Sequence, residues 1–270
     1  MNGYPAVMFI APRKSRGFTL VEMAMVLMII GLLLGGLVPT ISAQMETQRI
    51  GETRRQMNEI KDALTGFAVI NGRLPCPAQA TIATGAANAG IEAKIGNGCA
   101  CKTNSGSTDT IATVAGVACT NTSVTGVLPW ATIGLPETDA WGRRYTYRVT
   151  SVFADQNPGT LGTGCTVAAP TASSFALCSP GTPDVLVASG GGFIAENVPT
   201  LFVSHGKNGN GAYIPDGTQL TVGTNADEME NSDNNLSFVS HEFASEFDDL
   251  VVWLSSNTLM NRMVAAGKLP

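Results

Sequence analysis

Nine carboxylates fall between Lys207 and Arg262 with no lysine or arginine among them: Asp216, Asp227, Glu228, Glu230, Asp233, Glu242, Glu246, Asp248 and Asp249. Carboxylates crowded in this way, helped by backbone carbonyls, could supply the six to eight oxygens that a hard cation takes. The spacing matches no EF-hand, so a solvated acidic loop is the other reading. Six cysteines, Cys76, Cys99, Cys101, Cys119, Cys165 and Cys178, are an even set. Cys99 and Cys101 invite a zinc or redox reading, but no second closely spaced pair and no histidine lies in that stretch. Disulfides from Cys99 and Cys101 to Cys76 and Cys119 are expected instead, and Cys165 with Cys178 makes the plausible local pair. Ser204-His205 and His241 are the only residues that suggest a nucleophile and its base, and no Gly-x-Ser-x-Gly elbow accompanies them. Gly206–Gly211 lacks the Gly-Lys-Ser/Thr of a phosphate loop and reads as a turn.

Glu22 is the remaining residue with unusual chemistry. No other charge occurs from Met23 to Pro39, so its carboxylate sits one turn into an apolar run. Such a group costs about 2.5–3.5 kcal/mol at mid-membrane, which leaves it either reaching the headgroups or holding a partner. The run from Phe18 to Ile41 is 24 residues, or roughly 36 Å of helix, long enough to span a bilayer. Arg13, Lys14 and Arg16 precede it, which predicts a cytoplasmic N-terminal end and an exported remainder. A secretory signal peptide ending at Ser42-Ala43 would show the same basic and apolar regions. The helical pattern continues straight past Ala43, which a cleaved leader does not need.

The string Gly17-Phe18-Thr19-Leu20-Val21-Glu22, after basic residues and before an apolar helix, resembles the class III signal of type IV pilins and type II secretion pseudopilins. The resemblance implies cleavage by prepilin peptidase after Gly17 and N-methylation of Phe18. It also implies that Glu22 pairs with the terminal amine of a neighbouring subunit during assembly. The motif covers about the first fifth of the chain.

The rest must be read from composition and period. The formal charge is −5, and loss of residues 1–17 removes three positives and no acid, giving −8, so nothing indicates nucleic acid as a partner. Ile41, Met45, Met57, Ile60, Leu64 and Phe67 recur at mostly three- and four-residue intervals opposite a face of mixed charge. Asn71-Gly72 and the prolines at 75 and 77 end that helix. After a leader (1–17) and this helix (18–72), a cysteine-containing, loop-rich connector (73–126) leads to a sheet domain with long loops (127–270). Tyr145, Tyr147 and Val149 alternate with Thr146 and Arg148, which predicts a half-buried strand. Further strands are expected at 184–188, 199–204 and 250–254. The expected class is α+β: a long N-terminal helix, half transmembrane and half amphipathic, packed on a C-terminal antiparallel sheet.

Three later segments are similar to the major pseudopilin. Asp139-Ala140-Trp141-Gly142-Arg143-Arg144-Tyr145-Thr146-Tyr147 resembles its Asp-Pro-Trp-Gly-x-x-Tyr-x-Tyr stretch, Phe202–Gly209 its strand and Ser-x-Gly-x-Asp-Gly turn, and Asp248–Trp253 its closing strand. Asn208 stands where that turn has Asp. In that family the loop between the last strands binds calcium, which points to Asp248 and Asp249 as ligands. The function expected is a non-enzymatic subunit of a type IV pilus or secretion pseudopilus. Its implied partners are prepilin peptidase, other pilin or pseudopilin subunits, the inner-membrane assembly platform and membrane lipid. It would cross the bacterial inner membrane once, with its C-terminal domain periplasmic until assembly into a filament. A membrane-anchored or secreted periplasmic protein with adhesin or hydrolase activity is the alternative.

Overall fold

A computed structural model describes residues 17–96, 98–101, 109–110, 117–118, 123–154, 165, 173–244 and 246–269. The chain divides at Gln48/Arg49 into two compact units. Helix α1 runs Leu20–Asn71, 52 residues. It ends where Gly72 takes φ +70°, a left-handed turn that glycine makes without the Cβ penalty.

In the first unit every described side chain from Gly17 to Gly35 is exposed. The transmembrane span expected over Phe18–Ile41 is not supported here: among the described residues no helix is long and apolar enough to cross a membrane. The side chains of 36–41 lie outside them. Met23–Gly35 alone gives about 20 Å of uncharged helix against a hydrocarbon core of roughly 30 Å.

The second unit is built on a five-stranded sheet in the order β11-β9-β6-β5-β3. These strands are β3 (Asp109–Thr110), β5 (Ser123–Val127), β6 (Thr146–Thr150), β9 (Thr200–Ser204) and β11 (Leu250–Leu254). A second sheet, β10-β7-β8, joins β7 (Asp184–Leu186), β8 (Phe193–Ala195) and β10 (Ser237–Val239), and a third, β1-β2-β4, joins β1 (Lys94–Ile95), β2 (Gly98–Cys101) and β4 (Val117–Ala118). The pairings are antiparallel except β3 with β5 and β10 with β7. No tight hairpin links either exceptional pair, so nothing local imposes the antiparallel sense.

The period of two assigns the sheet's faces. Tyr145, Tyr147 and Val149, with Phe202 and Leu254, meet Met57, Ile60, Leu64 and Ala68 of α1 in the main core. Leu201, Val203 and Val251 face the other way and pack with Val185 and Phe238 of the second sheet. Arg148, expected on a solvated face, is therefore buried. It donates to Thr125 Oγ1 and to the Asn234 carbonyl, which keeps its guanidinium hydrogen-bonded. The strand is buried on both sides because a second layer covers the face that alternation alone leaves to water.

Among the described residues the unit also holds four short helices: α2 (Trp130–Ile133), α3 (Ser151–Ala154), α4 (Ala226–Glu230) and α5 (Ser256–Ala265). The expected strand at 250–254 is followed directly by α5, which the sequence reading omitted. Ser255 caps it by accepting from Thr258 N, and Leu259, Met260 and Met263 enter the main core. Disulfides join Cys76 to Cys99 and Cys165 to Cys178. Cys119 and the Cys101 side chain lie outside the described residues.

Below the end of α1, Arg73 and Glu92 form a bidentate ion pair, both bonds 2.8 Å, with side chains only 5% and 13% exposed. Burial pushes the Glu92 carboxyl up, but Arg73's hydrogen bond and charge, with the Cys76 N–H, outweigh it and leave it below its ordinary value. The ionised carboxylate therefore stabilises the fold above the unfolded-state pKa, and that contribution is lost as pH falls through the folded-state value. Glu92→Gln is expected to cost about 3 kcal/mol at pH 7 by stranding Arg73. In urea denaturation its deficit against wild type should shrink below about pH 4; a deficit that is constant with pH would show the charge to be irrelevant.

Candidate functional site

Thr19 and Glu22 form a reciprocal cap at the start of α1. Thr19 N and Oγ1 donate to Glu22 Oε2 at 2.8 and 2.9 Å, and Glu22 N donates to Thr19 Oγ1 at 3.2 Å. The carboxylate thus satisfies an orphan donor at its own helix N-terminus, the capping-box arrangement of Ser/Thr with Glu three residues on. Phe18, immediately before it, is 82% exposed. Gly17 has open space around it. So the Gly17–Phe18 bond and the Glu22 carboxylate lie at one exposed helix end. Residues 12–38 match the family described as the prokaryotic N-terminal methylation motif.

The chain carries a pilin-type N-terminal methylation signal. This is the class III signal of type IV pilins and pseudopilins, and it covers the expected processing residues Gly17 and Phe18 and the expected assembly residue Glu22. No curated protein and no solved structure matches the chain. The α+β architecture with an N-terminal helix and largely antiparallel sheets stands beside that signal in the one chain.

A second site lies in the second unit. Glu228, Asp248 and Asp249 bring carboxylate oxygens within 4.8 Å of one another. Asp248 and Asp249 sit just before β11 because that strand begins at Leu250. Glu228 comes from α4, whose Asn225 cap accepts from Asp227 N and Glu228 N. The turn after β9 closes the cluster: Asn208 Nδ2 donates to Glu228 Oε1, Asn210 Nδ2 to Glu228 Oε2 at 2.7 Å, and Asn208 N to Asp248 Oδ2 at 2.9 Å. Gly209 in that turn has φ +67°, and a Cβ there would lie 2.0 Å from Arg143 Nε. Arg143 needs that space, since its guanidinium donates to the carbonyls of Gly206 and Lys207. The cluster therefore includes the two expected aspartates and, of the other carboxylates in that stretch, brings in Glu228 alone among the described residues.

The cluster is short of compensating charge. Burial pushes the Asp249 carboxyl well up, and the charges of Glu228 and Asp248 add to it; Asp248 is raised by burial and by Glu228. Asn231 Nδ2 donates to Asp249 Oδ2 at 2.8 Å, while Oδ1 of Asp248 and of Asp249 are buried with no hydrogen-bond partner among the described residues. His205 Nδ1 stands 3.7 Å from Asp249 Oδ1, too far for a hydrogen bond. Burial, with the charge of Arg143, lowers the His205 imidazole to about 4, so at neutral pH it is uncharged and does not offset the acids. Two buried, unpartnered carboxylate oxygens beside a third carboxylate are the donor set that a hard cation fits.

The residues of the hydrolase alternative are not assembled for catalysis. Ser204 and His205 follow one another at the end of β9 and are fully buried. Ser204 Oγ donates to Asp139 Oδ2 at 2.6 Å, and His205 Nε2 lies 2.8 Å from Thr146 Oγ1. His241 is elsewhere, 3.1 Å from Asp227 Oδ2 and stacked on Phe247. Asp139 uses its other oxygen to accept from Trp141 N and Arg143 N, which holds the 139–143 turn against β9. In this fold Ser204 anchors that turn.

Asp249→Asn tests the charge imbalance directly. Because the folded-state pKa of Asp249 is raised, the wild type binds its proton more tightly when folded, and stability is lost as pH rises through that value. The neutral amide should stabilise the chelator-treated protein by about 1 kcal/mol at pH 7 and by less toward pH 4, read by urea denaturation. A loss of stability at pH 7 would show that the carboxylate is compensated after all.

Proposed function

We propose that the chain is a structural subunit of a type IV pilus or of a type II secretion pseudopilus. The observation that carries this is the methylation signal over residues 12–38 running without a break into the 52-residue helix α1. Prepilin peptidase cuts after Gly17 and the new amine of Phe18 is methylated. The subunit then waits in the bacterial inner membrane, its sheet domain periplasmic, until the assembly platform adds it to a filament. The uniform exposure of the apolar side chains from Phe18 to Leu34 supports this reading, because such a surface requires lipid or neighbouring helices to cover it. Calcium at Glu228, Asp248 and Asp249 belongs to the same proposal, supported by the unpartnered oxygens there. The subunit catalyses no reaction of its own.

Mass spectrometry of the mature protein should find a methylated Phe18 at the N-terminus. A chain beginning at Gln44 would instead make it a plainly secreted protein and overturn the proposal.

The reciprocal cap sharpens the test of Glu22. Glutamine at the same position keeps a capping side chain but not the charge, whereas leucine removes both and makes the helix more apolar. Glu22→Gln and Glu22→Leu should each leave cleavage and the fold of the sheet domain intact and each reduce incorporation into filaments, read by the ratio of sheared filament to cell-bound subunit. If only Glu22→Leu is impaired, Glu22 serves as a helix cap and pairs with no neighbouring amine.

A further inference from the structure

Among the described residues six buried side-chain nitrogen or oxygen atoms lack a hydrogen-bond partner, and three of them belong to one end of the β9–β11 pair. They are His205 Nδ1, Asp248 Oδ1 and Asp249 Oδ1. Strand register brings them there. Leu250 pairs with Ser204, so Asp249 and His205, the next residues outward on the two chains, leave the ladder at the same end. Polar atoms buried without a partner are costly, and three at one place call for a common cause.

His205 is fully buried, and its two ring nitrogens have different surroundings. Nε2 lies 2.8 Å from Thr146 Oγ1, while Nδ1 stands 3.7 Å from Asp249 Oδ1. A proton on Nδ1 would point at an oxygen too distant to accept it. A proton on Nε2 has Thr146 Oγ1 as its acceptor, which leaves the Nδ1 lone pair opposite a carboxylate oxygen. That second form is the one that ligates metal, its other ring N–H held by an outer partner. Two atoms each about 2.1 Å from one zinc-class ion lie roughly 3.4–3.7 Å apart at tetrahedral or slightly wider angles. The 3.7 Å separation of Nδ1 and Oδ1 is therefore a spacing of two ligands and not of a hydrogen bond. Gly206, beside His205, has φ +52°, and a Cβ on it would lie 2.6 Å from Asp248 Oδ1, so glycine admits that oxygen. Glu228 closes the group, since its carboxylate and those of Asp248 and Asp249 come within 4.8 Å of one another.

We propose that His205 Nδ1 and Asp249 Oδ1, with the carboxylates of Asp248 and Glu228, ligate one divalent ion of the zinc class, and that the nitrogen makes the site prefer such an ion to calcium. Calcium takes oxygens, whereas imidazole suits zinc and its neighbours. The inference rests on the reading of this cluster as a cation site and is independent of any filament. The test uses the full-length chain in detergent micelles, stripped of metal by chelator. It carries His241→Gln, so that His205 is its one histidine. Titration calorimetry should show zinc bound about 100-fold more tightly than calcium. His205→Asn should lower zinc affinity about 100-fold and change calcium affinity less than about threefold. Thr146→Val, which removes the acceptor for the ring N–H, should lower zinc affinity about tenfold and spare calcium. X-ray absorption of the zinc-loaded protein, which needs no change at His205, should show one imidazole among oxygen ligands. Three results would leave the cation site standing and overturn the nitrogen ligand: calcium bound as tightly as zinc, zinc affinity indifferent to both substitutions, or a spectrum without imidazole. Binding of neither ion would overturn the cation site as well.

Discussion

Tyr147, Phe202 and Val252 lie side by side across β6, β9 and β11, and their ring and methyl surfaces form one apolar row. That row must be covered, and the part of α1 from Arg49 onward covers it with Met57, Ile60 and Leu64. Each large apolar side chain removed from water in this way contributes about 1.5–3 kcal/mol, so the contact outweighs any single polar interaction in the domain. The alternate residues of the same strands are also apolar at Leu201, Val203 and Val251. A sheet apolar on both faces needs two covers, and β7, β8 and β10 supply the second. The helix, the sheet and the second layer are thus three consequences of one alternating pattern.

Double burial forces the chain to solve a second problem, because β6 and the residues just before it carry cations into the interior. Arg144 is fully buried, with Glu137 Oε1 at 2.8 Å from its Nε, the Ala80 carbonyl at 2.7 Å, the Pro215 carbonyl at 2.9 Å and the Trp130 ring beneath it. An uncompensated guanidinium there would be strongly destabilising, so these acceptors are tied to it. They come from three separate loops, and the cost of leaving any acceptor unfilled orders all three. Arg143 acts similarly on the turn after β9, and Asp139 on its own turn. The polar framework of the domain is arranged around side chains that the apolar pattern trapped.

The acidic cluster is the place where this compensation stops short. Glu228, Asp248 and Asp249 are drawn together by α4, by the turn at Asn208 and by the start of β11, and Arg143, whose charge acts on Asp248, is engaged with two carbonyls. His205, buried beside them, is neutral. The same two aspartates lead directly into the edge strand. Electrostatic strain and a sheet edge therefore meet at one end of β11.

Much of this was readable locally. Gly17, Phe18 and Glu22 carry their meaning in six consecutive residues, α1 announces itself by its three- and four-residue spacing and its Asn71-Gly72 end, and Tyr145–Val149 shows a period of two. α5 is also legible locally, since Ser255 caps it and Leu259, Met260 and Met263 share a face. Other features lay beyond any local pattern. Alternation says which residues share a face and nothing about whether a second layer covers it, so Arg148 reads as solvated yet is buried. Strand order, the two parallel pairings and the joining of Glu228 to Asp248 and Asp249 depend on chain segments tens of residues apart. The sequence alone determined the helix, the main strands and the signal, because dihedral preference and burial period are properties of neighbours along the chain. Only the tertiary structure decided which charges lost their water, because desolvation is set by what folds over a residue from elsewhere.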